Sequence, residues 1–241
     1  MYILNKRIVN IENYKFLQFV ESGAEIFFST AEGGLDFNKS TKEGLKNIDN
    51  IKKWFHVSEV GYLNQVHSDL VHIYNREIRD GDALITNEKG IAIGVFTADC
   101  VPIIIFDKKN KVAAAVHSGW RGTIKSICIN AINRMIKEFN TSIEDLLIYI
   151  GPHNQNCCYE VSEELINDFK SLSLYENSNI SEDRKLNLQK CILIQLNSLG
   201  VNEHQVKTLD ICTFCNADYS MHSYRKDKEK SGRMFSFILL R

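Results

Sequence analysis

The chain has few of the features that divide or anchor a protein. It contains only two prolines in 241 residues, and no stretch rich in proline, serine or glycine suggests a linker, which predicts a single domain over residues 1–241. No window approaches the roughly eighteen uninterrupted apolar residues of a membrane-spanning helix. Residues 1–10 also lack the basic segment and apolar run of a secretion signal. We therefore expect a cytoplasmic protein.

An excess of charge of one sign is also missing. The 29 Lys and Arg residues balance 30 Asp and Glu residues, for a net charge of −1. General binding to nucleic acid or to an anionic membrane needs an excess of positive charge, so neither partner is expected. An apolar content of 44% excludes disorder as the dominant state. These properties favour a globular protein that acts on small molecules.

Cysteine is present in an odd number, seven. A chain of this size does not need disulfides, so we expect reduced thiols. Cys128 and Cys191 fall on apolar helix faces and are predicted to be core residues. Any function of the others should involve metal binding or nucleophilic chemistry.

The hydrophobic pattern alternates between strands and helices. Apolar spacing at i, i+3, i+4 and i+7 predicts one long helix from Gly122 to Phe139, ended by Asn140. Residues 172–184 read as a surface excursion. The pattern predicts an α+β fold, a layered sandwich of mixed β-sheets covered by helices. Strands are predicted at 25–29, 91–96, 102–106, 111–117, 146–150, 205–209 and 234–240, with further helices from about 162 and up to 200.

Reactive side chains cluster at the ends of two predicted strands. Cys100 follows the strand at 91–96, and His117 ends the strand at 111–117. The turn after His117 holds Gly119, Arg121 and Gly122 at a helix start, where free N–H groups and a guanidinium could bind phosphate. A plain strand-to-helix turn with a surface arginine fits the same pattern.

A third candidate, His67, lies in a polar stretch upstream. With Cys100 and His117 it supplies three zinc ligands, which leaves the open position that a catalytic zinc keeps for water or substrate. A second reading needs no metal, with Cys100 as the nucleophile and His117 as its base.

Other motifs are weaker. Cys212 and Cys215 have the spacing of a zinc knuckle or redox pair, but a single pair of this kind more often consists of structural thiols. The adjacent Cys157 and Cys158 look awkward for a joint metal site. A cationic stretch near the last strand could supply Arg225 or Arg233 as a second arm of an anion site.

Several motifs, taken together, resemble the YfiH, or laccase-domain, family of purine nucleoside phosphorylases. The resemblance runs from about residue 23 to the end of the chain. The motifs that carry it are NQVHS (64–68), GDALIT (81–86), TADCVP (97–102), AVHSGWRG (115–122), IGP (150–152), YEV (159–161), CT (212–213), SYRKD (223–227) and GRM (232–234).

The resemblance implies a zinc site at His67, Cys100 and His117, which would also be the catalytic residues. It implies phosphorolysis of adenosine, inosine, guanosine or methylthioadenosine, with adenosine deamination as a side activity. Arg121, Gly119 and Gly122 are the expected phosphate cradle, Arg225 a weaker candidate, and Asp99 is expected to orient a zinc ligand or a substrate hydroxyl. The chain departs from the family at Ala31, where members usually carry arginine.

Three other functions fit parts of the pattern. The family fold resembles that of a bacterial deamidating toxin, which favours a Cys-His hydrolase or deamidase as the alternative enzyme. Phenol oxidation would require redox-active copper, for which one His/Cys/His trio is poor support. The departure at Ala31 also allows a catalytically weak nucleoside-binding protein.

Overall fold

The computed structural model describes residues 6–241, which include fourteen strands. In chain order they are β1 (Arg7–Ile11), β2 (Tyr14–Glu21), β3 (Ala24–Ser29), β4 (Glu59–Gly61), β5 (Val71–Ile73), β6 (Ala83–Thr86), β7 (Ile91–Thr97), β8 (Val101–Asp107), β9 (Val112–Ser118), β10 (Leu146–Ile150), β11 (Ser181–Glu182), β12 (Lys185–Leu186), β13 (Val206–Thr208) and β14 (Met234–Leu240). All seven strands predicted from the sequence are present at their expected places.

The helices of the described residues are mostly short. They are α1 (Lys42–Phe55), α2 (Trp120–Ile124), α3 (Ile127–Phe139), α4 (Glu163–Lys170), α5 (Leu188–Ser198) and α6 (Tyr224–Asp227), with four 3₁₀ turns at Glu32–Gly34, Ile143–Asp145, Glu203–Gln205 and Lys228–Lys230. None of the helices within residues 6–241 has the length and apolar character needed to cross a bilayer.

Two six-stranded mixed sheets form the centre of the fold. The first has the order β1-β2-β3-β14-β7-β4, and the second has the order β13-β10-β8-β9-β6-β5. Their facing sides share one hydrophobic core, in which Phe28 and Ile238 of the first sheet meet Phe106 and Tyr149 of the second. The predicted layered α+β sandwich is confirmed.

Helices cover the two outer faces. Helix α1 packs Ile51 and Phe55 on the aromatic outer face of the first sheet. Helices α3 and α5 cover the second sheet, where Ala131 and Cys191 join the core. Strand β9 is buried throughout, since alternate residues face the first sheet and the helices. The predicted core positions of Cys128 and Cys191 are confirmed, because both are fully buried.

One prediction about local structure was wrong. The long helix is broken, because Ser126 adopts a left-handed conformation with φ of 60° and separates α2 from α3. The apolar spacing continues across the break, so it did not reveal the break. Most residues of the segment 172–184 are exposed, as expected of a surface excursion, although Tyr175 and Ile180 are fully buried in the core.

Candidate active site

The antiparallel register of β8 and β9 brings two predicted site residues together. Val101 pairs with Ser118 and Pro102 pairs with His117, so Cys100 lies beside the end of β9. This placement follows from the short connection between two adjacent strands. His117 is buried, whereas Cys100 is half-buried and faces a cleft.

The third residue, His67, lies in the loop between β4 and β5. Its backbone φ of 57° is left-handed. Hydrogen bonds made by residues before and after it in the loop hold this conformation. The Gln65 side chain donates to the carbonyl of Phe96 and accepts from the amide of Phe96, both at 2.7 Å. These bonds fix the loop to the end of β7. The exposed His67 ring is thereby held 4.8 Å from the His117 ring, centroid to centroid.

The Asp82 carboxylate joins the two histidines. It accepts a hydrogen bond from Nδ1 of His117 at 2.7 Å, and it also accepts the amides of His67 at 3.1 Å and Ser68 at 2.6 Å. Burial alone would raise the pKa of Asp82, but hydrogen bonds from His117 and Ser68 outweigh it and lower the pKa to about 2. Sequence analysis missed Asp82, because its position at the start of a strand gives no signal of where the carboxylate points.

Cys100 and His117 shift each other's pKa. Burial opposes ionisation of Cys100, but His117 and His67 lower its pKa to about 6. Burial likewise opposes protonation of His117, but Cys100 and Asp82 raise its pKa to about 9. In the metal-free chain the pair therefore favours thiolate and imidazolium near neutral pH.

The same donors fit a metal ion. One ligand atom from each of His67, Cys100 and His117 lies within 4.8 Å of the other two. Sγ of Cys100 is 3.8 Å from Nε2 of His67, and tetrahedral zinc with ordinary bond lengths places sulfur and nitrogen about 3.6 Å apart. Asp82 occupies Nδ1 of His117, which leaves Nε2 as its ligand atom, in the manner of many histidine ligands. The predicted ligand set is therefore brought together by the fold.

Gly119 is required by this arrangement. A Cβ atom at this position would lie 3.0 Å from both Sγ of Cys100 and Cδ2 of His67, closer than an ordinary van der Waals contact. The glycine thus lets the backbone of the turn pass directly beside the two ligands. Its role is steric and does not depend on a positive φ, since its φ is −74°.

The trio lies in a cleft of about 1010 Å³, large enough for a small-molecule substrate. Burial lowers the pKa of one cation in its wall, Lys39, whose ammonium lies over the rings of Tyr62 and Phe96. The side chains that line the cleft include Phe37, Lys39, His67, Phe96, Asp99, Cys100, His117, Trp120, Tyr159, Asp168, Tyr224, Arg225, Lys228 and Arg233.

The arginines expected to bind phosphate lie in different surroundings. Arg121 is exposed on α2, and its guanidinium stacks over the ring of its neighbour Trp120 at 4.2 Å. Arg225 lines the cleft, where its guanidinium stacks on Tyr159 at 4.5 Å. Gly122 packs near Ile127 and the Ser68 carbonyl. Of the predicted anion-binding arginines, Arg225 and Arg233 therefore lie in the cleft wall, whereas Arg121 does not.

Asp99 holds the C-terminal loops rather than a member of the trio. Its carboxylate accepts hydrogen bonds from Oγ of Ser223, from Oγ1 of Thr213 and from the amide of Arg225, each at 2.7 Å. Its φ of 92° is strained for a residue with a side chain. The carboxylate next to Cys100 thus fixes the position of Arg225.

Ala31, the departure from the family pattern, lies before the 3₁₀ turn at Glu32–Gly34 and is not among the residues that line the cleft. Its amide donates to the carbonyl of Ser220 at 2.8 Å.

The chain matches a known family model. Residues 22–241 match the model described as multi-copper polyphenol oxidoreductase laccase. The chain belongs to this family. A curated relative from Clostridium acetobutylicum, named a purine nucleoside phosphorylase, is 48% identical over 234 residues, covering 96% of this chain and 98% of the relative. The resemblance drawn from the motifs is thus confirmed.

Two solved structures share the fold of this laccase-domain protein. YlmD from Geobacillus stearothermophilus superposes with a TM-score of 0.84 at 22% identity, covering 97% of this chain and 98% of that one. The YfiH protein of Bacillus licheniformis has a TM-score of 0.81 at 23% identity, covering 90% of this chain and 93% of that one. The YfiH-like architecture is therefore confirmed.

Proposed function

We propose that this protein is a zinc-dependent purine nucleoside phosphorylase with adenosine deaminase side activity. The observation that carries the proposal is the preformed trio of His67, Cys100 and His117 at a cleft with cationic and aromatic walls. The name of the relative that is 48% identical supports the reaction class. We expect the substrates to be adenosine, inosine, guanosine and methylthioadenosine, each with phosphate. We also expect the protein to be cytoplasmic.

The trio would hold the zinc ion, with Asp82 fixing the orientation of His117. A zinc ion with three protein ligands supplies Lewis-acid chemistry at one open coordination position. Copper suits the same donor set, but phenol oxidation needs further copper-binding motifs, and the other metal-ligand cluster found in residues 6–241 consists of four cysteines.

Phosphorolysis needs phosphate beside C1′ of the ribose. A phosphate oxygen forms a bond to C1′ while the bond from C1′ to the purine nitrogen breaks, and the purine leaves with a proton. Arg225 is the cation best placed to orient phosphate in the cleft, with the turn of Gly119, Arg121 and Gly122 as the other candidate cradle. Trp120 and Tyr159 offer aromatic faces to the purine.

Product analysis tests both reactions. Zinc-loaded protein is incubated with adenosine, with and without phosphate, and the products are separated by chromatography. Adenine that forms only with phosphate supports phosphorolysis, and inosine in both samples supports deamination. If none of the four nucleosides is converted by zinc-replete protein, the proposal is wrong. The Cys100→Ala variant, which lacks one ligand of the trio, should lose the zinc ion at the trio and the activity with it.

A Cys-His hydrolase is the second candidate, favoured by the lowered pKa of Cys100 beside His117. This reaction would use the thiolate as nucleophile and the imidazolium as proton donor. It predicts metal-free protein that is alkylated selectively at Cys100 and remains active after chelation. If the protein holds stoichiometric zinc that protects Cys100 from alkylation, the Cys-His hydrolase hypothesis is wrong.

A further inference from the structure

Four cysteines outside the cleft converge at one point on the structure. Cys157 and Cys158 lie in a turn between β10 and α4, and Cys212 and Cys215 lie in a turn after β13. Their four sulfur atoms all lie within 4.8 Å of one another. The adjacent pair looked awkward for a joint site in the sequence, but the fold brings both pairs together.

The spacing of the sulfur atoms suits a metal ion. Sγ of Cys157 is 3.6 Å from Sγ of Cys215. In a tetrahedral zinc site with Zn–S bonds of about 2.3 Å, the sulfurs are about 3.8 Å apart, whereas a disulfide requires about 2.05 Å. Four thiolates also match the donor set of a closed structural zinc site. We propose that Cys157, Cys158, Cys212 and Cys215 bind a second, structural zinc ion.

The surroundings of the four cysteines shift the pKa values of their thiols. Burial disfavours the thiolate of Cys212, but the backbone N–H groups of Gln155, Cys215 and Phe214 outweigh this and lower its pKa. Burial raises the pKa of Cys157 to about 11, with further increases from the hydrogen bonds to Cys212 and Cys215 and from the charge of Cys212. A dication removes this repulsion and allows all four thiols to ionise.

The zinc ion would tie the loop that carries Tyr159 of the cleft wall to the loop that carries Thr213. The loops already meet through backbone hydrogen bonds, from the amide of His153 to the carbonyl of Ile211 and from the amide of Thr213 to the carbonyl of His153. Cys158 precedes Tyr159 of the cleft wall, and Cys212 precedes Thr213, which donates to Asp99. The second zinc therefore has a structural role that does not depend on the proposed reaction.

Metal counting tests the proposal. Full-length protein is expressed with zinc, purified anaerobically under reducing conditions, and analysed by elemental mass spectrometry. The wild type should hold two zinc ions per chain, the Cys100→Ala variant one, and the double variant Cys212→Ser/Cys215→Ser one. The matched control is Cys191→Ala, which removes a buried cysteine outside both clusters and should keep two.

Cobalt provides a readout that does not depend on the folding of the double variant. Metal-free Cys100→Ala protein titrated with Co²⁺ should develop the intense sulfur-to-cobalt charge-transfer absorption of a tetrathiolate site, saturating at one equivalent. The single variant Cys157→Ser should weaken this binding at least tenfold. The proposal is wrong if the wild type holds at most one zinc ion and the double variant retains it. It is also wrong if the cluster holds iron with inorganic sulfide, or if zinc-free protein contains a Cys157–Cys215 disulfide.

Discussion

The carboxylate of Asp82 lies 2.7 Å from Nδ1 of His117 and is fully buried. The same carboxylate accepts the amide of His67, so one side chain orients the ring of one ligand and the backbone of another. Hydrogen bonds to a ligating histidine fix its orientation and strengthen metal binding. Asp82 is therefore a positioning residue for the two histidines of the trio.

Replacing this carboxylate should weaken metal binding. Asp82→Asn keeps the size of the side chain but turns one acceptor oxygen into a donor that faces other donors. We expect zinc affinity at the trio to fall about 10- to 100-fold, measured by competition with a chelator. The control is Asp69→Asn in the loop that carries His67, since Asp69 is part-exposed and its partner is Lys125 at 4.0 Å. Affinity within twofold of the wild type for Asp82→Asn would contradict the role.

The close approach of Gly119 to the ligands gives a steric prediction. In Gly119→Ala the new methyl group would press on Cys100 and His67 at 3.0 Å, so the trio must spread. Zinc affinity should fall about tenfold while the unfolding midpoint of the metal-free protein changes little. In the comparison variant, Gly122→Ala, the methyl meets Ile127 at 3.2 Å and the carbonyls of Ser68 and His117 at 3.3 and 3.5 Å, but it meets no ligand atom of the trio. Equal zinc affinities in the two variants would rule out the steric role.

Asp99 should matter for stability. Asp99→Ala leaves the donors of Thr213, Ser223 and Arg225 without their acceptor, and hydrogen bonds to a charged group contribute about 1.5–3 kcal/mol each without being additive. We expect a loss of about 3 kcal/mol in the free energy of unfolding, measured by urea denaturation. Thr213→Val removes one of these donors and should cost about 1.5 kcal/mol. If Asp99→Ala is no less stable than Thr213→Val, Asp99 does not stabilise the fold through all three hydrogen bonds.

The two arginines can be separated by kinetics. Because Arg225 lines the cleft whereas Arg121 is exposed, Arg225→Ala should raise the KM for phosphate about tenfold and Arg121→Ala should change it less than twofold. The KM for the nucleoside, measured at saturating phosphate, serves as the internal control. The reverse order of effects would assign phosphate binding to the turn after β9.

Much of the second sheet could be predicted from the sequence. Strands such as β8 and β9 are continuous runs of β-branched or small apolar residues, which buried strands require. The short connection between them then places Cys100 near His117. Helix α1 was not predicted, although Thr41 caps it by accepting the amide of Gly44, because its sequence is polar apart from one face.

The rest of the site depends on contacts between distant segments. Nothing local in the sequence reveals that Asp82 points at His117, that Asp99 binds Thr213, or that Cys157 meets Cys215. Each contact joins loops whose separation is set by the packing of the two sheets. Motif spacing suggested candidate ligands as residue types, but only the fold determines which of them lie close together.

The bonds around Asp82 also bear on which ion the protein acquires. Because hydrogen bonds hold the three donors in place, binding requires little rearrangement of the protein, but three ligands leave the remaining coordination positions of the ion unspecified. For such a pocket the divalent ions follow their general order of affinity, in which copper exceeds zinc. Cellular supply rather than protein architecture then selects the resident ion, and protein recovered from a copper-rich medium should carry copper in an unchanged fold.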